Sequence, residues 1–182
     1  VGQNVWQQGV VSSRQTVEQL EEISRLPDLR GLVLRINSPG GSYTASAEIW
    51  NAINTLKKKK DIPVVVTMGD YAASGGYFVA LAGDYIFAEP LTVTGSIGVL
   101  GGKMVLERLW KKLDVHWAGL QFGENAGILS GNRKFSPSEK AAFNRSLDNV
   151  YRDFTAQVEK SRKIPAQDMD KLARGRIWQG AS

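Results

Sequence analysis

The chain has 182 residues, 42% hydrophobic and 23% charged, with no cysteine. That length supports one domain with a real core and is short for two. The composition excludes a disordered chain, and the missing thiols exclude disulfides and thiolate metal sites. The net charge of +5 raises nucleic acid as a partner. The charge is scattered, however, and its one block, Lys57 through Lys60, closes a predicted helix without interleaved aromatics. Lysines there complement the helix dipole and stay solvated, so no nucleic acid is expected. No apolar run approaches the roughly 20 residues that span a bilayer, and no secretory signal stands at the start. Val1 is not an initiator and Gln179 to Ser182 carries no closing signal. The chain therefore reads as a fragment, and absent anchors say little about its parent.

Residues 1–13 are polar and weakly patterned, which predicts a loop. Thr16 is placed to cap a helix from Val17 to about Leu26, with Val17, Leu20, Ile23 and Leu26 at helical spacing. After Pro27-Asp28, the run Gly31 to Ile36 predicts a strand of a parallel sheet covered on both faces. Asn37-Ser38-Pro39-Gly40-Gly41 is a sharp turn. A helix from about Thr44 to Lys60 follows, its buried stripe being Ala45, Ile49, Ala52, Ile53 and Leu56. Pro63 to Met68 predicts a buried strand, Tyr71 to Gly76 a turn around Ser74, and Tyr77 to Ala82 an apolar helix. Tyr85 to Ala88 predicts a third strand, Thr94 to Val99 a glycine-spaced strand or bend, and Met104 to Leu113 a short helix. Val115 to Ala118 predicts a fourth strand, and Leu120 to Lys134 a loop. Ser136 as N-cap, Pro137 and Glu139 open a long helix to about Lys160. A short helix over Pro165 to Ala173 and the start of a strand at Arg176 end the chain. The alternation of strands and helices predicts an α/β fold with a mainly parallel sheet. In such sheets, sites lie at the carboxyl ends of strands.

Two glycine-rich turns fall at such ends. A serine followed by two glycines and a helix start is a mounting for a nucleophile. The small neighbours let a substrate approach, and free amides of the first helical turn face the position of developing negative charge. Gly75 offers one such amide beside Ser74, and Gly41 another from the neighbouring turn. A serine needs a base. The single histidine, His116, lies inside a predicted strand beside Trp117 and reads as structural, so no Ser-His-Asp triad is evident. A lysine base must be desolvated to accept a proton at neutral pH. Lys57 to Lys60 form a solvated cluster, and Lys111 and Lys112 face water on an amphipathic helix. Lys103 and Lys134 stay open, although nothing local buries them. No metal cluster is expected, and Gly95-Ser96-Ile97-Gly98 lacks the lysine of a phosphate loop.

The three motifs Asn37 to Gly41, Ala72-Ala73-Ser74-Gly75-Gly76-Tyr77 and Thr94-Gly95-Ser96-Ile97-Gly98-Val99, in this order and spacing, resemble signal peptide peptidase A over residues 15–182. That family comprises bacterial serine peptidases of the Clp-protease/crotonase fold. The resemblance implies that α/β fold, with flanking helices and a long helix near the C-terminus. It implies Ser74 as nucleophile, Ser96 orienting a lysine base, and Gly75 and Gly41 as the oxyanion hole. It also implies cleavage of remnant signal peptides, no cofactor, a homo-oligomer, and a membrane anchor outside this fragment. The site would face the extracytoplasmic side of the bacterial inner membrane. One departure stands out: Glu124, Asn125 and Ala126 occupy the slot in which the short members carry their lysine. The chain is similar instead to the second, serine-bearing repeat of the long, two-repeat form. The base would then come from the N-terminal repeat, and residues 1–182 would be one peptidase domain lacking its first and last strands. Alternatives are a crotonase-like acyl-CoA enzyme using the same amides, a non-catalytic scaffold repeat, and a caseinolytic-type peptidase. The last expects a histidine where Gly95-Ser96 stands.

Overall fold

A computed structural model of the chain describes residues 9–182. The loop expected over residues 1–13 lies outside the described residues as far as residue 8. In chain order the elements are α1 (Ser13–Ile23), β1 (Leu32–Ser38), α2 (Tyr43–Lys60), β2 (Val64–Ala73), α3 (Gly75–Ala80), β3 (Tyr85–Phe87), β4 (Val93–Gly95), α4 (Glu107–Lys112), α5 (Pro137–Arg162), α6 (Ala166–Leu172) and β5 (Ile177–Gln179). They fall into two compact units, one of residues up to Gly98 together with Phe154–Ser182, the other of Val99–Asp153.

The first unit is the α/β sheet expected from the alternating elements. Its five strands run in the order β1-β2-β4-β5, with β3 paired to β2. β2 is the hub: it pairs in parallel with β1 along most of its length, with β3 over Val65 to Thr67, and with β4 over Tyr71 to Ala73. Its pairing with β4 explains why β2 runs on to Ala73 instead of ending at Met68. β5 is antiparallel to β4. Ile49, Ile53 and Leu56 of α2 pack with Ile36 of β1 and Val64, Val66 and Met68 of β2 in one buried cluster. Alternate residues of a strand point to opposite faces. Val33 is 72% exposed, and Arg35 and Asn37 are exposed beside it. One face of β1 is therefore open, which corrects the expectation of two covered faces.

The helix ends follow local chemistry. Ser12, not Thr16, caps α1, accepting from the Gln15 amide at 3.4 Å. The Thr16 hydroxyl donates instead to the Ser12 carbonyl at 2.9 Å. Ser42 caps α2 through the Ala45 amide at 3.3 Å. At the other end of α2, the lysine block is only partly solvated. Lys57 pairs with Asp84, and Lys60 donates to the Leu26 carbonyl at 2.8 Å. Asp84 also accepts from the Val64 amide at 2.9 Å, tying the end of α2 to the starts of β2 and β3. Burial pushes the Asp84 carboxyl up, but the hydrogen bonds from Lys57 and Val64 outweigh it and hold the group below its ordinary range.

The second unit holds α4, a turn-rich loop and the first part of α5. Ser136 and Glu139 form the expected capping box: Ser136 accepts from the Glu139 amide at 3.1 Å, and Glu139 accepts from the Ser136 amide at 2.8 Å. Glu139 is fully buried and also grips Arg133 through two bonds of 2.6 and 2.7 Å. The Arg133 guanidinium holds its pKa down to about 2. Nothing local in the sequence buries Lys103, yet a distant ring covers it. Its ammonium lies 4.3 Å over the Phe135 ring and is buried with no hydrogen-bond acceptor among the described residues. The strand predicted over Val115 to Ala118 is absent, and every residue from Lys111 to Leu120 is exposed. A strand is stable only where a neighbour completes its ladder, and none of the described residues pairs there.

Candidate active site

β1, β2 and β4 are consecutive in the sheet and parallel, so they end on the same side, at Ser38, Ala73 and Gly95. The three glycine-rich turns leave from these ends and meet there.

Ser74 sits between β2 and α3 at φ 50° and ψ −120°. A side chain rarely adopts such a backbone, which costs about 1–3 kcal/mol and persists only where the surroundings hold it. They hold it on both sides: the Ser74 amide donates to the Gly95 carbonyl at 2.9 Å, and the Ser74 carbonyl accepts from the Phe78 amide at 2.9 Å. The half-buried Ser74 side chain does not cap α3. Its hydroxyl is thus not spent on the helix whose start it marks. Phe78 locks α3 from below, with ring centroids 5.4 Å from Tyr43, 5.9 Å from Trp50 and 5.2 Å from Phe154.

The first glycine turn folds directly onto this serine. Gly40 has φ 110°, and a β-carbon there would lie 2.7 Å from Ser74 Cβ, 2.8 Å from the Gly75 nitrogen and 2.9 Å from the Ala73 carbonyl oxygen. No side chain fits at such distances. A β-carbon on Gly75 would collide with Ser46 Oγ and lie 3.3 Å from the Gly41 nitrogen. The Gly41 and Gly75 amides are therefore close neighbours. The Gly75 amide is the first of α3 and has no partner within that helix. Among the described residues no acceptor takes it or the Gly41 amide, whereas the Gly40 amide donates to Ser38 Oγ at 3.2 Å.

Ser96 follows Gly95 as Ser74 follows Ala73, and Ala73 and Gly95 are paired across β2 and β4. Ser96 also has φ 50°, and its amide donates to the Arg176 carbonyl at 2.7 Å. The four residues singled out from sequence, Ser74, Ser96, Gly75 and Gly41, are thus brought to one end of the sheet. The sequence reading missed Ser38 and Ser46. The only signal for Ser46 was a hydroxyl interrupting the apolar stripe of α2. Tyr77, next in α3, has its hydroxyl pKa raised by burial, with Arg162 opposing.

The bases weighed from sequence stand as follows. Lys57 is held by Asp84, Lys60 by the Leu26 carbonyl, and Lys111 lies 2.9 Å from Glu107. Lys103, Lys134 and the turn containing Glu124, Asn125 and Ala126 belong to the second unit. So does His116, which is not the structural strand residue expected: it lies in no strand, and its side chain is 88% exposed, with Nε2 3.2 Å from Asp114.

Comparison with known proteins places the chain in a family. Residues 6–92 fit the Clp protease family profile, and residues 56–182 fit that of peptidase family S49. "Serine protease SPPA, chloroplastic" of Arabidopsis thaliana is 34% identical over 171 residues, 93% of this chain and 25% of that protein. "Protease 4" of Salmonella typhi is 36% identical over 172 residues, 94% of this chain and 28% of that protein. "Protease 4" of Haemophilus influenzae is 37% identical over 156 residues, 84% and 25% of the two chains. The chain thus spans about a quarter of the length of these relatives. The serine turn, and the turn that accepts its amide, both lie within the stretch matched over 56–182. This chain belongs to peptidase family S49.

Proposed function

We propose that the chain is the serine-bearing repeat of a serine/lysine endopeptidase that cleaves remnant signal peptides. One observation carries this reading: Ser74 is held at φ 50° beside two amides, from Gly75 and Gly41, that have no acceptor among the described residues. Ser74 Oγ attacks the scissile carbonyl, and its proton passes to a neutral lysine amine. The Gly75 and Gly41 amides hold the oxyanion, a contribution of about 10²–10³ in kcat per donor in comparable sites. The lysine then protonates the leaving amine, and water hydrolyses the acyl-enzyme by the reverse path. Ser96 orients the lysine, whose amine must be desolvated to stay neutral at working pH.

The lysine comes from the N-terminal repeat of the same protein, because Glu124, Asn125 and Ala126 fill the slot where a local lysine would stand. The share of the relatives' length beyond this chain leaves room for that repeat. Among the described residues no helix is long and apolar enough to cross a membrane. The anchor is assigned to the remainder of the parent, which assembles as a homo-oligomer on the outer side of the bacterial inner membrane. Its substrates carry small or apolar side chains near the cut.

A fluorophosphonate probe tests the reading. It labels Ser74 in the full-length parent and fails after Ser74→Ala. Labelling of the isolated 182 residues at the full rate would refute the borrowed lysine. No labelling of the parent would refute the peptidase.

A further inference from the structure

We propose that Ser38 is a positioning residue that selects which of the tandem glycine amides serves the oxyanion; the inference rests on the peptidase reading above. The turn Pro39-Gly40-Gly41 has few donors to offer. Proline carries no N–H, so only the Gly40 and Gly41 amides remain. Ser38 Oγ accepts the Gly40 amide at 3.2 Å, two residues along. With that amide spent, Gly41 is the single donor the turn presents.

The same serine also sets where the turn lies. The β1–β2 register shifts between Ile36 and Ser38, so the regular ladder is interrupted at this residue. A β-carbon on Gly76 would lie 2.6 Å from the Ser38 carbonyl oxygen and 3.3 Å from Ser38 Cβ, so the main chain of Ser38 abuts α3. Ser38 therefore touches the nucleophile's helix with its backbone and the oxyanion turn with its hydroxyl. Gly40 in turn rests against Ser74 Cβ and the Gly75 nitrogen. Without the hydroxyl, the Gly40 amide has no acceptor, and a turn of two glycines is free to rotate either amide toward the site. A donor misplaced by about 1 Å is enough to lose about 10²-fold in rate.

The test uses the full-length parent and a peptide substrate. Ser38→Ala and Ser38→Val are expected to lower kcat about 10- to 100-fold, the range below loss of a whole donor. KM stays within about twofold, because a peptide in its ground state gains little from an oxyanion donor. Ser38→Thr keeps the hydroxyl and is expected to recover kcat to within about threefold of wild type. S38T and S38V have nearly the same shape, so their difference isolates the hydroxyl from packing in β1. Hydrogen exchange at the Gly40 amide is expected to speed up in S38A and S38V and not in S38T. Unchanged kcat in S38V beside an active wild type overturns this inference alone. Equal losses in S38T and S38V also overturn it, since packing would then be the cause. A wild-type parent that neither hydrolyses peptide nor labels at Ser74 overturns the peptidase reading and the catalytic half of this one. Gly40 exchange would still report whether Ser38 holds the turn.

Discussion

The contact between Gly75 and Ser46 sets up a double-mutant cycle with a definite sign. A β-carbon at Gly75 would overlap Ser46 Oγ, and its next neighbours would be the Gly41 nitrogen at 3.3 Å and Ser46 Cβ at 3.5 Å. Ser46 is buried on α2, and its hydroxyl donates to the Ser42 carbonyl at 3.0 Å, so it is not free to swing away without losing that bond. Gly75→Ala then overpacks the joint between α2 and α3, at about 1–3 kcal/mol. Replacing a helical glycine returns up to about 1 kcal/mol, leaving a net loss of up to about 2 kcal/mol. Ser46→Ala removes one hydrogen bond, about 0.5–1.5 kcal/mol, and the better helix propensity of alanine returns part of it. In the double variant the overlapping oxygen is gone and the remaining contact to Cβ is ordinary. The pair is expected to be about 1–2 kcal/mol more stable than the sum of the singles. Urea denaturation of the four proteins measures this. Additivity within about 0.5 kcal/mol would refute the claim that these two residues meet. Fluorophosphonate labelling of Ser74 should stay slow even in the rescued double variant, because the new methyl remains 3.3 Å from the Gly41 nitrogen.

The same geometry has other measurable outcomes. Gly40→Ala is expected to abolish Ser74 labelling, since a β-carbon would stand 2.7 Å from Ser74 Cβ at a φ of 110°; labelling within twofold of wild type would count against the close approach of the two turns. Phe78→Ala should cost about 3–5 kcal/mol in urea denaturation, because Phe78 is buried among Tyr43, Trp50 and Phe154; a loss below about 1 kcal/mol would deny it a core role. Glu139 has its pKa lowered from 4.5 to about 2 by Arg133. A depressed carboxylate stabilises the fold above its unfolded pKa and loses that contribution as pH falls through the folded value. The wild-type urea midpoint should therefore fall between about pH 4.5 and pH 2, and Glu139→Gln should flatten that fall; an unchanged pH slope would contradict the buried pair.

The helices and the turns were legible because each is written in a few adjacent residues. Ser136, Pro137 and Glu139 announce the start of α5, and the capping box forms as the spacing requires. The stripe Ile49, Ile53 and Leu56 announces the buried face of α2. Val115 to Ala118 misled because β-branched and aromatic residues fit a strand, yet a strand exists only where a partner accepts its hydrogen bonds. Lys103 misled for a related reason: the Phe135 ring that covers it lies 32 residues further along the chain, beyond any local pattern.

What the sequence determined by itself was the set of parts: three glycine turns, two serines with room around them, and apolar strands between amphipathic helices. Local residue type constrains backbone angles and burial, and that suffices for parts. Only the tertiary structure decided that β1, β2 and β4 lie side by side, so that turns more than thirty residues apart close on one serine. It alone decided that Ser38 consumes one of the two glycine amides and leaves the other. Such choices depend on strand order and on contacts of a few ångströms between distant segments, which no spacing along the chain encodes.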